Sequence, residues 1–198
     1  MKENNKKSGK AAVVKPVISL LMICVVSTAL LAYVHEATKA PIAAAEEAAR
    51  MESAMMVLPD GTSDIEEIKL ENASELCFAA KNSSGEVVAY AIGTSSHGYG
   101  GEIKVMTGID KDGTIIAVNV YDNSSETPGL GANTSEESFV GGFAGKKALG
   151  VFAVSKDADK YDGCESIDAV TGATISSRAV ASAVTRAGEI FKQLTMDN

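Results

Sequence analysis

A run of nineteen uncharged residues near the N-terminus limits where the rest of the chain can fold. The run extends from Pro16 to Val34 and reads PVISLLMICVVSTALLAYV. As a helix rising ~1.5 Å per residue, it would span roughly the hydrocarbon core of a bilayer. The sequence therefore predicts a transmembrane helix over residues 16–34. A cleaved signal peptide is the alternative, since the small residues Ala32 and Ala37 follow, but the run exceeds the ~7–15 apolar residues of a signal core.

The distribution of charge predicts the orientation of this helix. Five lysines and a single acid, Glu3, precede it; the lysines are Lys2, Lys6, Lys7, Lys10 and Lys15. Positive charge keeps such a segment in the cytoplasm, so residues 1–15 should lie there and the remainder outside. Beyond Lys15 the chain has 13 basic and 25 acidic side chains, a formal charge of −12. This part should bind neither nucleic acid nor anionic lipid through its charge.

Residues 35–59 follow the apolar run and are rich in strong helix formers. Pro41 suits the first turn of a helix, and Pro59 lies beyond its end. We predict a stalk helix here that packs Ile42, Ala49 and Met56 inward.

Neither the cysteines nor the acidic residues predict a metal site. Cys24, Cys77 and Cys164 form no CxxC, CxxCH or four-cysteine pattern, which argues against iron–sulfur, c-haem and structural zinc sites. Asp110 and Asp112 in DKDG resemble the start of a calcium loop, but the further ligand spacing is missing. A hairpin turn is the better interpretation of DKDG.

From residue 60 onward the pattern changes from helical to extended, and we assign residues 60–198 to an extracytoplasmic domain. Two pairs of apolar segments flank the turns NSSG and DKDG: Leu76–Lys81, Glu86–Gly93, Glu102–Ile109 and Thr114–Tyr121. Alternation places two sets of side chains on one face of the sheet: Ile103, Val105 and Ile109, and Ile116, Val118 and Val120. The pattern predicts an antiparallel meander with one buried face.

Two loops of unusual composition interrupt this sheet. GTSSHGYGG covers residues 93–101, and its glycines allow a backbone to approach a flat group closely. ETPGLG covers residues 126–131, where Pro128 and Gly129 indicate a type II turn that would present Glu126, Thr127 and Leu130 outward.

A cluster of hydroxyl side chains precedes an apolar helical run near the C-terminus. The stretch DAVTGATISS, residues 168–177, contains Thr171, Thr174, Ser176 and Ser177. At a helix start, such side chains can cap unpaired backbone N–H groups, and the positive end of the dipole can also bind an anionic phosphate. Both interpretations stay open from the residues alone, although capping needs only one hydroxyl.

DAVTGAT resembles the D-x-x-[ST]-G-A-T signature of the FMN-binding domain, in which a threonine carries flavin mononucleotide through a phosphoester bond. Its context is similar too: an N-terminal membrane helix, a GYGG loop, VMTGIDKDGTIIAV, ETPGLG, GKK at residues 145–147, and a final helix. The chain resembles the G subunits of the Rnf electron-transport complex, with the C subunit of the sodium-pumping NADH:quinone reductase as a relative.

The resemblance implies specific roles for the residues of these motifs. The modified threonine corresponds to Thr174, and Asp168, Gly172 and Ala173 complete the recognition sequence. Thr171 stands where Ser is commoner and adds a second candidate hydroxyl. Thr171, Ser176 and Ser177 would donate hydrogen bonds to the phosphate. The isoalloxazine ring would lie against the two loops, with the contact residues Tyr99, Gly100, Glu126, Thr127, Gly129 and Leu130.

The resemblance also implies the fold, the cofactor and the partners. The fold class is α+β, with a single transmembrane helix, a stalk helix, a twisted antiparallel sheet and a C-terminal helix forming an FMN-binding domain. A flavin transferase would attach the covalent FMN. The chain would relay electrons together with other Rnf subunits. That complex transfers electrons between ferredoxin and NAD⁺ while Na⁺ or H⁺ crosses the membrane. Two alternatives remain: a tethered flavoprotein outside such a complex, and a redox-inert binding module.

Overall fold

The computed structural model describes residues 4–68, 75–160 and 162–196, with side chains from residue 14 onward. Two compact units divide the chain, Met1–Glu47 and Ala48–Asn198. The helices are α1 (Asn4–Val57), α2 (Glu137–Val140) and α3 (Thr174–Met196), and the strands are β1 (Asp64–Ile68), β2 (Leu76–Lys81), β3 (Val87–His97), β4 (Glu102–Asp110), β5 (Ile115–Asp122), β6 (Phe152–Val154) and β7 (Glu165–Ile167). Short 3₁₀ turns cover Gly131–Ser135, Gly141–Phe143 and Ser155–Lys160.

Helix α1 carries the apolar run near the N-terminus. Among the described residues it is the one helix that is long and apolar enough to cross a membrane. Its large apolar side chains are exposed, for example Leu20 and Leu31, as a membrane-spanning segment requires. Within the described part of the chain, this one N-terminal helix is therefore suited to anchoring the protein in a membrane.

The predicted stalk segment differs from the sequence expectation in two ways. Pro41 lies inside α1, which continues past it, so the stalk does not begin as a separate helix. Ile42 and Met56 were expected to point inward, yet both are exposed. The buried residues in the last turns of α1 are Ser53, Ala54 and Val57, on a different face of the helix.

The central sheet is an antiparallel meander of five strands in the order β1-β2-β3-β4-β5. The four predicted strands are confirmed, and β2 has the expected limits. Strand β3 is longer than expected and ends at His97, so the first half of the predicted glycine-rich loop is strand. Strand β1 was not predicted; it pairs with β2 at the edge of the sheet.

A bulge in β5 changes which residues face the core. Gly108 of β4 pairs with Ala117 and Ile109 pairs with Ile115, so the pairing skips Ile116. As a result Ile115, rather than the predicted Ile116, joins Val118 and the other core residues, because a bulge reverses the alternation of side chains. Ile116 instead packs against the opposite cluster.

Both faces of the sheet are covered, so the expected single buried face was wrong. Helix α3 packs on one face and contributes Val180, Val184 and Ile190 to the larger core cluster. On the other face, Ala54 and Val57 form a smaller cluster with residues of β2, β3 and β4. Gly108 allows this approach, since a Cβ there would lie 1.9 Å from the Val57 carbonyl oxygen.

A small two-stranded sheet leads the chain into α3. Strands β6 and β7 pair in parallel, and β7 ends at Ile167. Residues 168–173 then connect β7 directly to the first residue of α3, Thr174. The hydroxyl-rich stretch is therefore a turn between a strand and the N-terminus of a long, well-packed helix.

Candidate functional site

A groove with a volume of about 410 Å³ lies at the N-terminal end of α3. It brings together three segments that are distant in the sequence: residue 99, residues 126–131 and residues 172–176. The lining residues are Tyr99, Glu126, Thr127, Leu130, Gly131, Gly172, Ala173, Thr174, Ile175 and Ser176. Eight of them were predicted as cofactor-binding residues, and the sequence analysis missed Gly131 and Ile175.

Thr174 lines this groove as the first residue of α3. Its side chain is half-buried, and its hydroxyl has no hydrogen-bond partner among the described residues. Thr171, the second candidate, is exposed in the preceding turn and lies outside the groove lining. Of the two candidate threonines of the motif, Thr174 is therefore the one that lines the groove.

The start of α3 presents backbone donors beside the Thr174 hydroxyl. The first bond of the helical pattern runs from the Ser177 N–H to the Ala173 carbonyl, at 2.9 Å. The N–H groups of Thr174, Ile175 and Ser176 consequently have no partner within the helix. Three unpaired N–H groups at the positive end of a helix dipole form a favourable environment for an anionic phosphate.

The Ser177 hydroxyl faces the protein interior and stabilises the turn. It donates to the Ala173 carbonyl at 2.9 Å and accepts the Val170 N–H at 3.0 Å. Gly172 adopts a φ of +79° between these residues, a conformation that glycine tolerates best. Of the four hydroxyls, this one stabilises the turn of the motif, and like Thr171 it does not line the groove.

Glu126 is buried, although the sequence analysis expected it to point outward. Only 4% of the residue is exposed. Its Oε2 accepts the Ser176 hydroxyl at 2.7 Å, and its Oε1 accepts the Gly100 N–H at 3.0 Å. Glu126 thereby connects the predicted glycine loop to the N-terminus of α3, and it explains why neither Ser176 nor Gly100 is a free donor.

The ETPGLG turn forms the outer wall of the groove. Leu130 N–H bonds to the Thr127 carbonyl at 3.1 Å, and Gly129 has a φ of +76°, as the third residue of a type II turn requires. Thr127 and Leu130 are exposed, as predicted. With Tyr99, which is 73% exposed, they form an open and largely apolar rim.

Asp168 lies outside the groove lining and is tied to a residue that the sequence analysis did not single out. Ser155 donates its hydroxyl to the Asp168 carboxylate at 2.6 Å and also contacts the Ile167 carbonyl at 3.1 Å. Asp168 itself remains exposed. The Asp168 carboxylate is therefore held at the surface, outside the groove lining.

The groove fits a flavin mononucleotide. Its volume falls in the usual range for small-molecule sites, ~300–1,000 Å³. The N–H groups at the start of α3 match a phosphate, while Tyr99, Leu130 and Ile175 offer apolar surface for a planar ring. Among the described residues, no group of three or more metal-ligating side chains occurs.

Comparison with known proteins agrees with this geometry. Residues 98–189 match the FMN-binding domain family, and residues 1–54 match the RnfG N-terminal region. The structure is similar to a crystal structure of the C subunit of the Na⁺-translocating NADH-quinone reductase from Parabacteroides distasonis. The TM-score is 0.52 at 24% identity, covering 66% of this chain and 77% of that one.

Two curated relatives are similar to long stretches of this chain. The G subunit of the proton-translocating ferredoxin:NAD⁺ oxidoreductase complex of Clostridium ljungdahlii is 34% identical over 86% of this chain and 87% of its own. The G subunit of the Na⁺-translocating ferredoxin:NAD⁺ oxidoreductase complex of Acetobacterium woodii is 40% identical over 65% of this chain and 62% of its own.

The fold and the groove define an FMN-binding domain protein with an N-terminal membrane-anchoring helix. Within that class the similarity extends along nearly the whole chain and includes the N-terminal region. The chain belongs to the RnfG family, the G subunits of ion-translocating oxidoreductase complexes.

Proposed function

We propose that this chain carries FMN covalently on Thr174 and relays electrons in an Rnf-type complex that couples ferredoxin:NAD⁺ electron transfer to Na⁺ or H⁺ translocation. The observation that carries the proposal is the Thr174 hydroxyl. It has no partner among the described residues, and it lies in the groove beside three unpaired backbone N–H groups. The names of the two curated relatives supply the class of reaction.

The residues of the groove have separable tasks in this function. A phosphate esterified to Thr174 keeps negative charge, which the N–H groups of residues 174–176 and the helix dipole stabilise. Tyr99, Thr127 and Leu130 would hold the ring at the open rim. The bound flavin supplies one- or two-electron transfer, while the protein determines its position and electrostatic surroundings.

We propose that a second protein attaches the flavin, as the resemblance to the covalent FMN-binding family implies. We infer that a flavin transferase recognises residues 168–174 on the folded domain. Asp168, the first residue of this motif, is exposed, and the Ser155 hydroxyl donates to its carboxylate at 2.6 Å, so a carboxylate held in place is available for recognition. The chain is the substrate of this modification.

We also propose that α1 crosses the membrane once, with the N-terminus in the cytoplasm and the FMN-binding domain outside. The five lysines before the apolar run support this orientation. Covalent attachment suits that location, since a flavin lost outside the cell could not readily be replaced.

A pair of valine variants tests the attachment site. In cells that also express the flavin transferase, Thr174→Val should abolish the mass of the FMN adduct, while Thr171→Val should keep at least part of it. Intact mass spectrometry and in-gel flavin fluorescence after denaturation measure both. An FMN adduct on the Thr174→Val protein would show that another residue carries the flavin.

The same variant tests the place of the flavin in electron transfer. Thr174→Val should fold and reach the membrane, because no hydrogen bond of its hydroxyl to the described residues is lost. Membranes with normal levels of the variant and of the other subunits should lose essentially all ferredoxin:NAD⁺ electron transfer. Undiminished activity would place this flavin outside the main electron path.

A further inference from the structure

Glu126 is a carboxylate built into the wall of the groove. It is 4% exposed and lines the cavity beside Thr174 and Ser176. Burial of a charge is costly unless hydrogen bonds compensate it. Two donors do so here, the Ser176 hydroxyl at 2.7 Å and the Gly100 N–H at 3.0 Å.

The surrounding backbone is shaped around this carboxylate. A Cβ on Gly98 would lie 2.3 Å from Glu126 Oε1, and a Cβ on Gly131 would lie 2.0 Å from Oε2. Both glycines have φ values outside the left-handed region, so neither is required by backbone conformation. Because these two glycines have no side chain, they leave space for the two carboxylate oxygens of Glu126.

No cation compensates the charge within the part of the chain that the structure describes. The described ion pairs include Lys81–Glu66, Lys104–Asp122, Lys146–Glu165 and Arg178–Asp157, and none involves Glu126. Hydrogen bonds from a hydroxyl and an N–H hold a carboxylate in place and spread its charge without cancelling it. The wall of the groove therefore carries a fixed negative charge.

We propose that Glu126 tunes the flavin by placing this fixed negative charge in the groove, which lowers the midpoint potential of FMN held on Thr174. The inference rests on the proposed function. Reduction adds electrons to the bound FMN. Where proton uptake does not offset them, the flavin gains negative charge, and the nearby Glu126 carboxylate opposes that gain by electrostatic repulsion. Water is largely excluded around Glu126, so its field is screened less than that of a surface carboxylate.

Glu126→Gln is the variant that separates charge from shape. The amide has nearly the same volume, can accept the Gly100 N–H and can donate to Ser176 Oγ, so the groove should keep its structure. Glu67→Gln is the matched control, since it removes the same charge from an exposed position on the edge strand β1. Ser176→Ala keeps the Glu126 charge but removes one of its donors.

The experiment uses full-length proteins in detergent, flavinylated by coexpression with the transferase. Spectroelectrochemical titration gives the midpoint potential, intact mass gives the flavin content, and circular dichroism with thermal denaturation checks the fold. The potential of Glu126→Gln should be more positive than that of wild type. The potential of Glu67→Gln should equal wild type, and that of Ser176→Ala should not rise.

Several outcomes would overturn this inference. Equal midpoint potentials in wild type and Glu126→Gln would show that the Glu126 carboxylate has a structural role alone. Failure of Glu126→Gln to fold would lead to the same conclusion. A similar rise of the midpoint potential in both Glu126→Gln and Ser176→Ala would show that the shift comes from loosened loops and not from the lost charge. Absence of the FMN mass from the wild-type protein as well would instead refute the proposed function, so the two failures are distinguishable.

Discussion

Asp157 shows how a single buried acid stabilises the region around the flavin motif. Its carboxylate accepts hydrogen bonds from Arg178, on the first turns of α3, and from Lys160. The Arg178 guanidinium, followed by the Lys160 ammonium, lowers the pKa of Asp157 to about 2. The pair Asp157–Arg178 joins the 3₁₀ turn after β6 to the helix that begins at Thr174.

This pKa shift predicts a pH-dependent loss of stability. A carboxyl whose pKa is lower in the folded state stabilises the protein above its unfolded pKa of ~3.9, and that stabilisation disappears as the pH falls toward the folded pKa. Asp157→Asn should therefore reduce the free energy of unfolding at pH 7, and the difference from wild type should shrink between about pH 4 and pH 2.

Urea denaturation at a series of pH values measures this difference. Asp159→Asn is the control, because Asp159 is exposed two residues away and its replacement should change the free energy of unfolding little. A difference between wild type and Asp157→Asn that stayed constant down to pH 2 would contradict the role of the charged carboxylate.

At the residue scale, the sequence predicted most of the residues that line the groove but not the direction of each side chain. Thr174 was selected through the resemblance of DAVTGAT to the FMN-binding signature, since the residues alone left helix capping and phosphate binding open. Glu126 was expected to face outward, because a turn signal at Pro128 indicates exposure of its neighbours. Its burial depends on Ser176, 50 residues later, and on Gly98 and Gly131, so no local pattern could reveal it.

At the scale of elements, α3 is placed by close backbone contact as well as by its apolar face. A Cβ on Gly188 would lie 1.8 Å from the Ala148 carbonyl oxygen. The turn that contains Ala148 is itself fixed, since the Ala148 N–H bonds to the Gly113 carbonyl at 2.9 Å. Helix α3 can therefore approach this turn only where it has no side chain.

Gly188→Ala should destabilise the protein, although alanine favours a helix by about 1 kcal/mol over glycine. The added methyl must displace the helix or the turn, and such overpacking typically costs about 1–3 kcal/mol. We expect a lower midpoint in chemical denaturation. Ser182→Ala, at an exposed position of the same helix, should be neutral or slightly stabilising. A gain in stability from Gly188→Ala would contradict the close packing.

The elements that the sequence predicted well are those whose signals are local. Strands β2 to β5 are apolar segments that flank strong turns, and α3 has a clear helical period. The strands that were missed are β1, β6 and β7, which have five, three and three residues. Such short strands form because a partner strand is available, and the bulge at Ile116 likewise results from strand pairing rather than from composition.

At the scale of the whole molecule, charge is separated along the chain. Basic residues precede the apolar segment, and the acidic excess follows it. The five lysines should retain the N-terminus in the cytoplasm during insertion. A domain with a strong negative charge is also expected to stay soluble beside the membrane and to be repelled by anionic lipid headgroups.

Reporter fusions test this orientation. Alkaline phosphatase fused after Asn198 should be active, because it requires the oxidising side of the membrane, while a reporter that needs the cytoplasm should be silent at the same position. Replacing all five lysines of the N-terminal segment with glutamine should weaken the preference for an orientation with the N-terminus in the cytoplasm. These lysines are Lys2, Lys6, Lys7, Lys10 and Lys15. The reverse pattern of reporter activity in the wild-type fusion would place Thr174 inside the cell.

The groove is assembled from segments that the ribosome produces far apart in time. Tyr99 and Glu126 are made first, yet Glu126 gains its hydroxyl partner only when Ser176 has been added 50 residues later. The backbone donors of the proposed phosphate site form only once α3 has folded. Under the proposed function, an incomplete or misfolded chain would therefore lack the acceptor site, and flavin attachment would mark finished molecules before they join an electron-transport complex.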